Sequence, residues 1–490
     1  MSASRRCARS APLTDRVSPQ AVDLLGTLRG ILPEGNLLTG EACEPYLADH
    51  RRLYRGRALA VALPRSVEHV ARVLAACDAA RVGVVPHGGN TGYCGGATPD
   101  ESGGQLVLSL KYLNRIRGVD PDNYSLIAEA GCVLARVQEA AESAGRYFPL
   151  SLGSQGSCQI GGNLSTNAGG VHVLRYGMMR DLVLGLEVVL ADGRVLPGLT
   201  ALRKDNTGYD IRGLFLGAEG TLGVITAASL KLFPPIRSTA TALVALADPR
   251  AAVALLARLR AASGDAISSF ELIPRLGIEL TTAHIPGVVD PLGTPHPWYV
   301  LCELGSARAA EPLEALLTEA LGAALEAGLV RDAVLARGER ERAALWKIRE
   351  TIPEAQRHEG PGLKHDISVP VSALPEFVER GGAWIATHVP QARLIAYGHV
   401  GDGNLHFNLQ GRPGADGAAL LGRADEVRRV LHDLTASLGG SFSAEHGIGR
   451  LKVAELERYA PATELALMHA VKRALDPNGI MNPGKVLRSG

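Results

Sequence analysis

Between Arg57 and Pro235 the chain alternates short apolar runs with glycine-rich turns. The runs are Leu59 to Leu63, Gly83 to Pro86, Leu106 to Leu110, Leu126 to Ala130, Leu184 to Leu190 and Gly223 to Ala227. Segments of this length, bounded by turn residues, predict strands. A helix is predicted over Ser66 to Ala80. Ser66 can cap it, Glu68 sits in the first turn where a carboxylate suits the helix dipole, and apolar residues then recur at helical spacing. Pro234-Pro235 lacks the amide donors that a strand ladder needs, so it closes this mixed α and β region.

After Ile236 the period lengthens. Amphipathic helices are predicted over Glu311 to Leu329 and Arg337 to Arg349, separated by apolar strands at Trp298 to Glu303 and Arg393 to His399. This is an α+β pattern, a sheet with helices on one face. A last amphipathic helix, Ala462 to Leu475, stops at Asp476-Pro477-Asn478-Gly479. The expected divisions are an N-terminal segment (1–56), a first domain (57–236), a second, α+β domain (237–440) and a C-terminal helical segment (441–490) that packs back on the first domain.

Composition narrows the function. The 490 residues have room for two or three cores. A net charge of +1 supplies no basic excess for nucleic acid and no acidic tail, which leaves a small-molecule enzyme as the expectation. Seven cysteines (Cys7, Cys43, Cys77, Cys94, Cys132, Cys158 and Cys302) show no Cys-x-x-Cys spacing, so neither a disulfide framework nor a thiolate zinc site is expected. The longest apolar segments, such as Ala251 to Leu256, are broken by Arg258 and Arg260, well short of the roughly 18 residues of a membrane span. A cytoplasmic protein is expected. The basic start with Arg5, Arg6 and Arg9 is read as disordered; it also faintly resembles a transit peptide, which makes the mitochondrial matrix the alternative.

Two loops concentrate glycine beyond the needs of turns: Pro86-His87-Gly88-Gly89-Asn90-Thr91-Gly92, and Gly161 through Gly170 with Asn163, Thr166, Asn167 and Gly169. Missing side chains let backbone N–H groups cradle a phosphate, and a diphosphate is the natural occupant. A third such edge, Gly217 to Gly223 with Glu219 and Gly220, leads into Val224-Ile225-Thr226. None spells the Gly-x-Gly-x-x-Gly of a Rossmann turn or the P-loop signature.

A second kind of chemistry lies in Leu394 to Leu409. Two strand-like runs flank Gly401-Asp402-Gly403-Asn404, a hairpin signal. If Val400 faces Leu405 across that loop, His399 faces His406 with Cβ atoms about 5 Å apart, close enough to share one ion. Tyr397 and Asn408 fall on the same face. Ser443-Ala444-Glu445-His446-Gly447 offers a carboxylate and an imidazole as third ligand. Zinc, manganese and iron all accept such a set. The same groups could activate water in a metallohydrolase without a redox cofactor, and the glycine loops alone could belong to a non-catalytic, diphosphate-binding subunit.

These loops resemble the vanillyl-alcohol oxidase and para-cresol methylhydroxylase type of FAD flavoproteins, and the finer resemblance is carried by Ser151-Leu152-Gly153-Ser154-Gln155-Gly156-Ser157-Cys158, followed by Ile160-Gly161-Gly162-Asn163, and by Leu202-Arg203-Lys204-Asp205-Asn206-Thr207-Gly208-Tyr209-Asp210. Within it the chain is similar to the D-2-hydroxyglutarate and D-lactate dehydrogenase branch. The resemblance runs from about Arg57 to the C-terminus. It implies a para-cresol methylhydroxylase-type FAD-binding domain followed by an α+β substrate (cap) domain. The implied FAD contacts are Pro86 to Gly92, Gly153, Ser154, Gly161, Gly162, Asn163, Thr166, Asn167, Gly169 and Gly170 at the diphosphate and ribityl chain, with Glu219, Gly220 and Ile225 on the adenine side. His87 lacks the context of a covalent flavin linkage, so the FAD is expected to be non-covalent.

The resemblance also selects Glu445 as third ligand beside His399 and His406, zinc as the ion, His446 as catalytic base, and Arg349, Lys364 and Asn408 as substrate contacts. It implies hydride transfer from a D-2-hydroxy acid, D-2-hydroxyglutarate first, to flavin N5. The metal would stabilise the alkoxide that an alcohol near neutral pH resists forming. Pro353 stands where the hydroxyglutarate enzymes carry a threonine, which leaves D-lactate, glycolate or D-malate as alternatives. Electrons are expected to leave to a separate acceptor, an electron-transfer flavoprotein or quinone-linked carrier, and a homodimer is the expected assembly.

Overall fold

The computed structural model describes residues 19–414 and 416–488. The basic start and Cys7 lie outside them; the six other cysteines are free and buried.

The first domain holds two sheets. Strands Leu37–Leu38, Ala60–Ala62, Leu106–Ser109 and Val84–His87 form a four-stranded sheet in that order, its last three strands parallel. Helix Val67–Ala80 covers it as the spacing predicts. Ser66 accepts from the His69 amide at 3.2 Å, Val70, Val73, Leu74 and Cys77 are buried, and Arg81 ends the helix in the left-handed region. The second sheet is antiparallel and runs Ile116–Asp120, Ser125–Glu129, Val224–Lys231, Val183–Val189 and Val195–Gly198. The chain's end returns to the first sheet. Val84 donates to Ile480 O at 2.7 Å and accepts from the Asn482 amide at 2.8 Å, while Ile480 and Met481 are buried among Leu74, Val84 and Leu106.

The second domain has two antiparallel sheets rather than one. Strands Ile267–Pro274, Trp298–Ser306, Ser238–Leu246 and Asp332–Leu335 form the larger, packed by helices Pro249–Ser263 and Leu313–Glu326. In the smaller, Asn404–Gly411 lies between Ala392–Tyr397 and Asp366–Ser368. Leu272 and Gly398 stitch the sheets together through two backbone bonds of 2.8 and 3.1 Å. The strand expected over Arg393 to His399 therefore ends at Tyr397: Gly398, at φ 138°, leaves its own ladder and pairs with Leu272 instead. That bend is open to glycine and costly for other residues.

Candidate active site

The three glycine loops converge. The first leaves the end of Val84–His87, the second forms the short helix Ile160–Ser165, and the third enters Val224–Lys231; together they line one cavity. Each loop carries one non-glycine residue in the left-handed region, Asn90, Asn167 and Glu219. Backbone strain of this kind gathers at ligand sites. His87 Nδ1 and Nε2, Gln159 Oε1 and Asn163 Oδ1 belong to cavity-lining residues, are buried, and find no hydrogen-bond partner among the described residues. Unmet demand concentrated in one cavity fits a polar ligand such as FAD. Burial pushes His87 down to about 4, so its ring is neutral, packed edge-on to Tyr46 at 5.2 Å.

Among the anticipated FAD contacts, Pro86 through Gly92, Gly161, Gly162, Asn163, Thr166, Glu219, Gly220 and Ile225 line the cavity, as do Tyr93, Gln159 and His446. Gly153, Ser154, Asn167, Gly169 and Gly170 lie outside this lining. Ser154 O accepts from the Ser157 and Cys158 amides. Asn167 Oδ1 accepts from the Arg180 amide at 2.8 Å. Gly170 yields space to Ser151 O, Gly169 lies against Glu445, and Gly153 faces open space. Glu219 also anchors the turn that carries His446, because its buried carboxylate accepts from the amides of Ile448 at 2.7 Å and Gly449 at 2.9 Å. Burial pushes Glu219 up to about 7 in spite of those bonds.

The hairpin brings His399 and His406 together by a different register from the one expected. Tyr397, not His399, is opposite His406, and the connecting loop runs through six residues, 398–403. Because Gly398 diverts the chain, His399 swings from the ladder end and its ring still comes within 5.7 Å of His406. Ligand atoms of His399, His406 and Glu445 all lie within 4.8 Å of one another, and His399 Nε2 is 3.6 Å from Glu445 Oε1. Two imidazoles and a carboxylate in that arrangement fit a divalent ion. Burial pushes His406 down to about 3, the neutral form a ligand requires. For His399 burial is outweighed by Glu271 and Glu445, which push it up to about 9; the carboxylates around it favour a cation at this place.

Arg349 is buried over the Tyr397 ring at 4.9 Å, and its Nε donates to Glu271 at 2.8 Å. Lys364 is exposed, and partial burial followed by the charges of Arg51 and Arg357 lowers its pKa; it does not line the cavity. Asn408 is committed internally: Oδ1 accepts from the His365 amide and Nδ2 donates to Gln356. His446 ties the parts together. Its ring stacks with His406 at 6.3 Å, meets Tyr93 edge-on at 4.7 Å, and places Nδ1 3.3 Å from Asp366 Oδ2.

Two residues with no role assigned from sequence matter here. Asp366 is buried and accepts from the Glu445 and His446 amides at 3.0 and 3.2 Å; burial opposes its charge, but His446 and these bonds hold its carboxyl well below the usual range. Glu271 is fully buried and bonds both Arg349 and His399, whose charges hold it at about 2 against the effect of burial. The available signal was an acid inside an apolar strand run, which is seldom tolerated unpaired.

Comparison with known proteins agrees with this architecture. The FAD binding domain family matches residues 58–197, and the C-terminal domain family of FAD linked oxidases matches 236–486. p-Cresol methylhydroxylase superposes with a TM-score of 0.73 at 17% identity, covering 97% of this chain and 98% of that one. Alkyldihydroxyacetonephosphate synthase gives 0.71 at 16%, covering 94% and 84%. At such identities these two establish the fold alone. Among curated proteins, the mitochondrial D-2-hydroxyglutarate dehydrogenase of Bos taurus is 41% identical, over 95% of this chain and 83% of the relative. That of Arabidopsis thaliana is 38% identical over 93% and 80%, and the D-2-hydroxyglutarate dehydrogenase of Xanthomonas citri pv. viticola 37% over 94% and 96%. An FAD binding domain leaves no place for the flavin-free hydrolase. The chain belongs to the FAD-linked oxidase family, in the branch of the D-2-hydroxyglutarate dehydrogenases, and is an FAD-dependent dehydrogenase.

Proposed function

We propose that the enzyme oxidises a D-2-hydroxy acid to its 2-oxo acid, with D-2-hydroxyglutarate the leading substrate, using FAD and a divalent ion, zinc first, held by His399, His406 and Glu445. When bound, FAD would accept the Cα hydride at N5 and the ion would act as a Lewis acid on the hydroxyl. The observation that carries this reading is the position of His446, which lines the FAD cavity while stacking on His406 of the metal set. A base at that junction can take the hydroxyl proton of an acid held between the two. With Asp366 beside Nδ1, Nε2 is the ring nitrogen left to receive it. The terminal nitrogens of Arg349 supply a planar fork for one carboxylate, and Lys364 supplies a point charge.

A second reading, the shorter acids D-lactate, glycolate or D-malate, is favoured by Pro353, which is exposed at the start of helix Ile352–His358 and offers no hydroxyl to the far carboxylate of a five-carbon acid. A separate acceptor, an electron-transfer flavoprotein or a quinone-linked carrier, is the expected electron partner. Anaerobic flavin reduction by a panel of D- and L-2-hydroxy acids tests the proposal. D-2-hydroxyglutarate should reduce the flavin fastest, with the L-acids inert. Faster reduction by D-lactate selects the second reading, and a flavin that no D-2-hydroxy acid reduces refutes both.

A further inference from the structure

Strand Ile267–Pro274 is buried at all eight positions, and Glu271 within it is 1% exposed. A carboxylate persists there only if its oxygens are engaged. Both are: Oε1 accepts from His399 Nδ1 at 2.7 Å, and Oε2 accepts from Arg349 Nε at 2.8 Å. The backbone fixes this reach, since the next residues along, Leu272 and Gly398, exchange both their amide bonds. One carboxylate therefore holds an imidazole of the metal set and the buried arginine of the acid-binding set, drawn from segments 128 and 78 residues away.

We propose that Glu271 is a positioning residue for both. It fixes His399 in the tautomer with hydrogen on Nδ1, so that the Nε2 lone pair faces Glu445 and the ion site. It also occupies Arg349 Nε, which leaves the two terminal nitrogens as the fork for substrate. This inference rests on the metal site proposed above.

The tautomer gives the test. Glu271→Gln keeps the side chain's shape but exchanges one acceptor oxygen for an NH2 donor. Arg349 can only donate, so the amide oxygen must turn to it; the NH2 then faces His399 and forces the opposite tautomer, with Nε2–H pointing into the ion site. Zinc affinity, measured on FAD-loaded protein by competition with a chromogenic chelator, should fall 10–100-fold while FAD content is unchanged. Adding Arg349→Met removes the obligatory donor and frees the amide oxygen to accept from His399. The double variant should then regain zinc affinity to within a few-fold of Arg349→Met alone, a rescue that loss of packing would not produce. Wild-type affinity in Glu271→Gln, or a double variant no better than Glu271→Gln, overturns the inference while the metal reading stands. Should Glu271→Gln not fold, the crystal structure of zinc-loaded wild type decides: coordination through His399 Nε2 with Glu271 on Nδ1 supports the inference, and coordination through Nδ1 overturns it. Wild-type protein that binds no zinc, manganese or iron removes the metal reading itself, and this inference with it.

Discussion

Gly89→Ala should weaken FAD binding by about 100-fold. A Cβ at Gly89 would lie 2.3 Å from Ser157 O and 3.0 Å from Cys158 Cα, where ordinary contact begins at 3.4 Å. The first cofactor loop and the Ser157–Gln159 backbone would therefore have to part by about 1 Å. Both obstructing atoms are main chain, so no rotamer change relieves the clash, and the cost falls at the upper end of the roughly 1–3 kcal/mol of overpacking. About 3 kcal/mol corresponds to about 100-fold in Kd if the strain is borne by the bound geometry. Gly153→Ala is the matched control, because Gly153 has nothing within 4 Å and lies outside the cavity lining; it should change Kd less than twofold. Titrating deflavinated protein with FAD and following flavin fluorescence gives both constants. An unchanged Kd for Gly89→Ala, or an equal loss for Gly153→Ala, would refute the claim that contact between these loops shapes the cofactor site.

His446→Gln should keep metal and flavin but slow anaerobic flavin reduction by about 10²–10⁴-fold, the usual worth of a general base; stopped-flow absorbance measures it, and near-normal reduction removes His446 from the chemistry. Chelation should abolish turnover with the flavin spectrum retained, because His399, His406 and Glu445 are absent from the cavity lining; full activity after verified metal removal contradicts the metal role. In FAD-free protein, His87 is held at about 4 against about 6.5 when unfolded, so only the unfolded chain takes up a proton between these values. Its stabilisation is complete above pH 6.5 and is lost as pH falls to 4, by about 3 kcal/mol. The Tm difference between wild type and His87→Asn should follow that slope, and a difference flat across this range would show that His87 is not buried as described.

Elements whose signal is local were legible in the sequence. Ser66 and Glu68 marked the helix start, and Ala462–Leu475 is the helix its spacing predicts. The hairpin register was not legible, because it is decided by Leu272, which lies 126 residues before Gly398 and draws it out of the ladder. His399 and His406 still meet, though by a route alternation could not supply. The role of Glu271 was illegible for the same reason: an acid in an apolar run signals that it is paired, but its two partners are distant in sequence and carry no motif. At Gly169 and Gly170 the glycine signal has a second structural meaning that spacing does not convey, since a Cβ there would meet Glu445 and Ser151.

The pairing of Val84 with the chain's end bears on how the protein is made. Val84–His87 is an edge strand of the first sheet, and its open side is closed by Ile480 and Asn482. Those residues leave the ribosome roughly 400 positions later, a delay of about 20 to 80 s at 5–20 residues per second. Throughout that interval the nascent first domain has an unpaired strand edge and a gap in its core, both invitations to self-association. A chain cut before Ile480 would keep every candidate cofactor, metal and substrate residue yet remain in that unfinished state, so loss of the segment from Ile480 onward should appear first as aggregation in the cell.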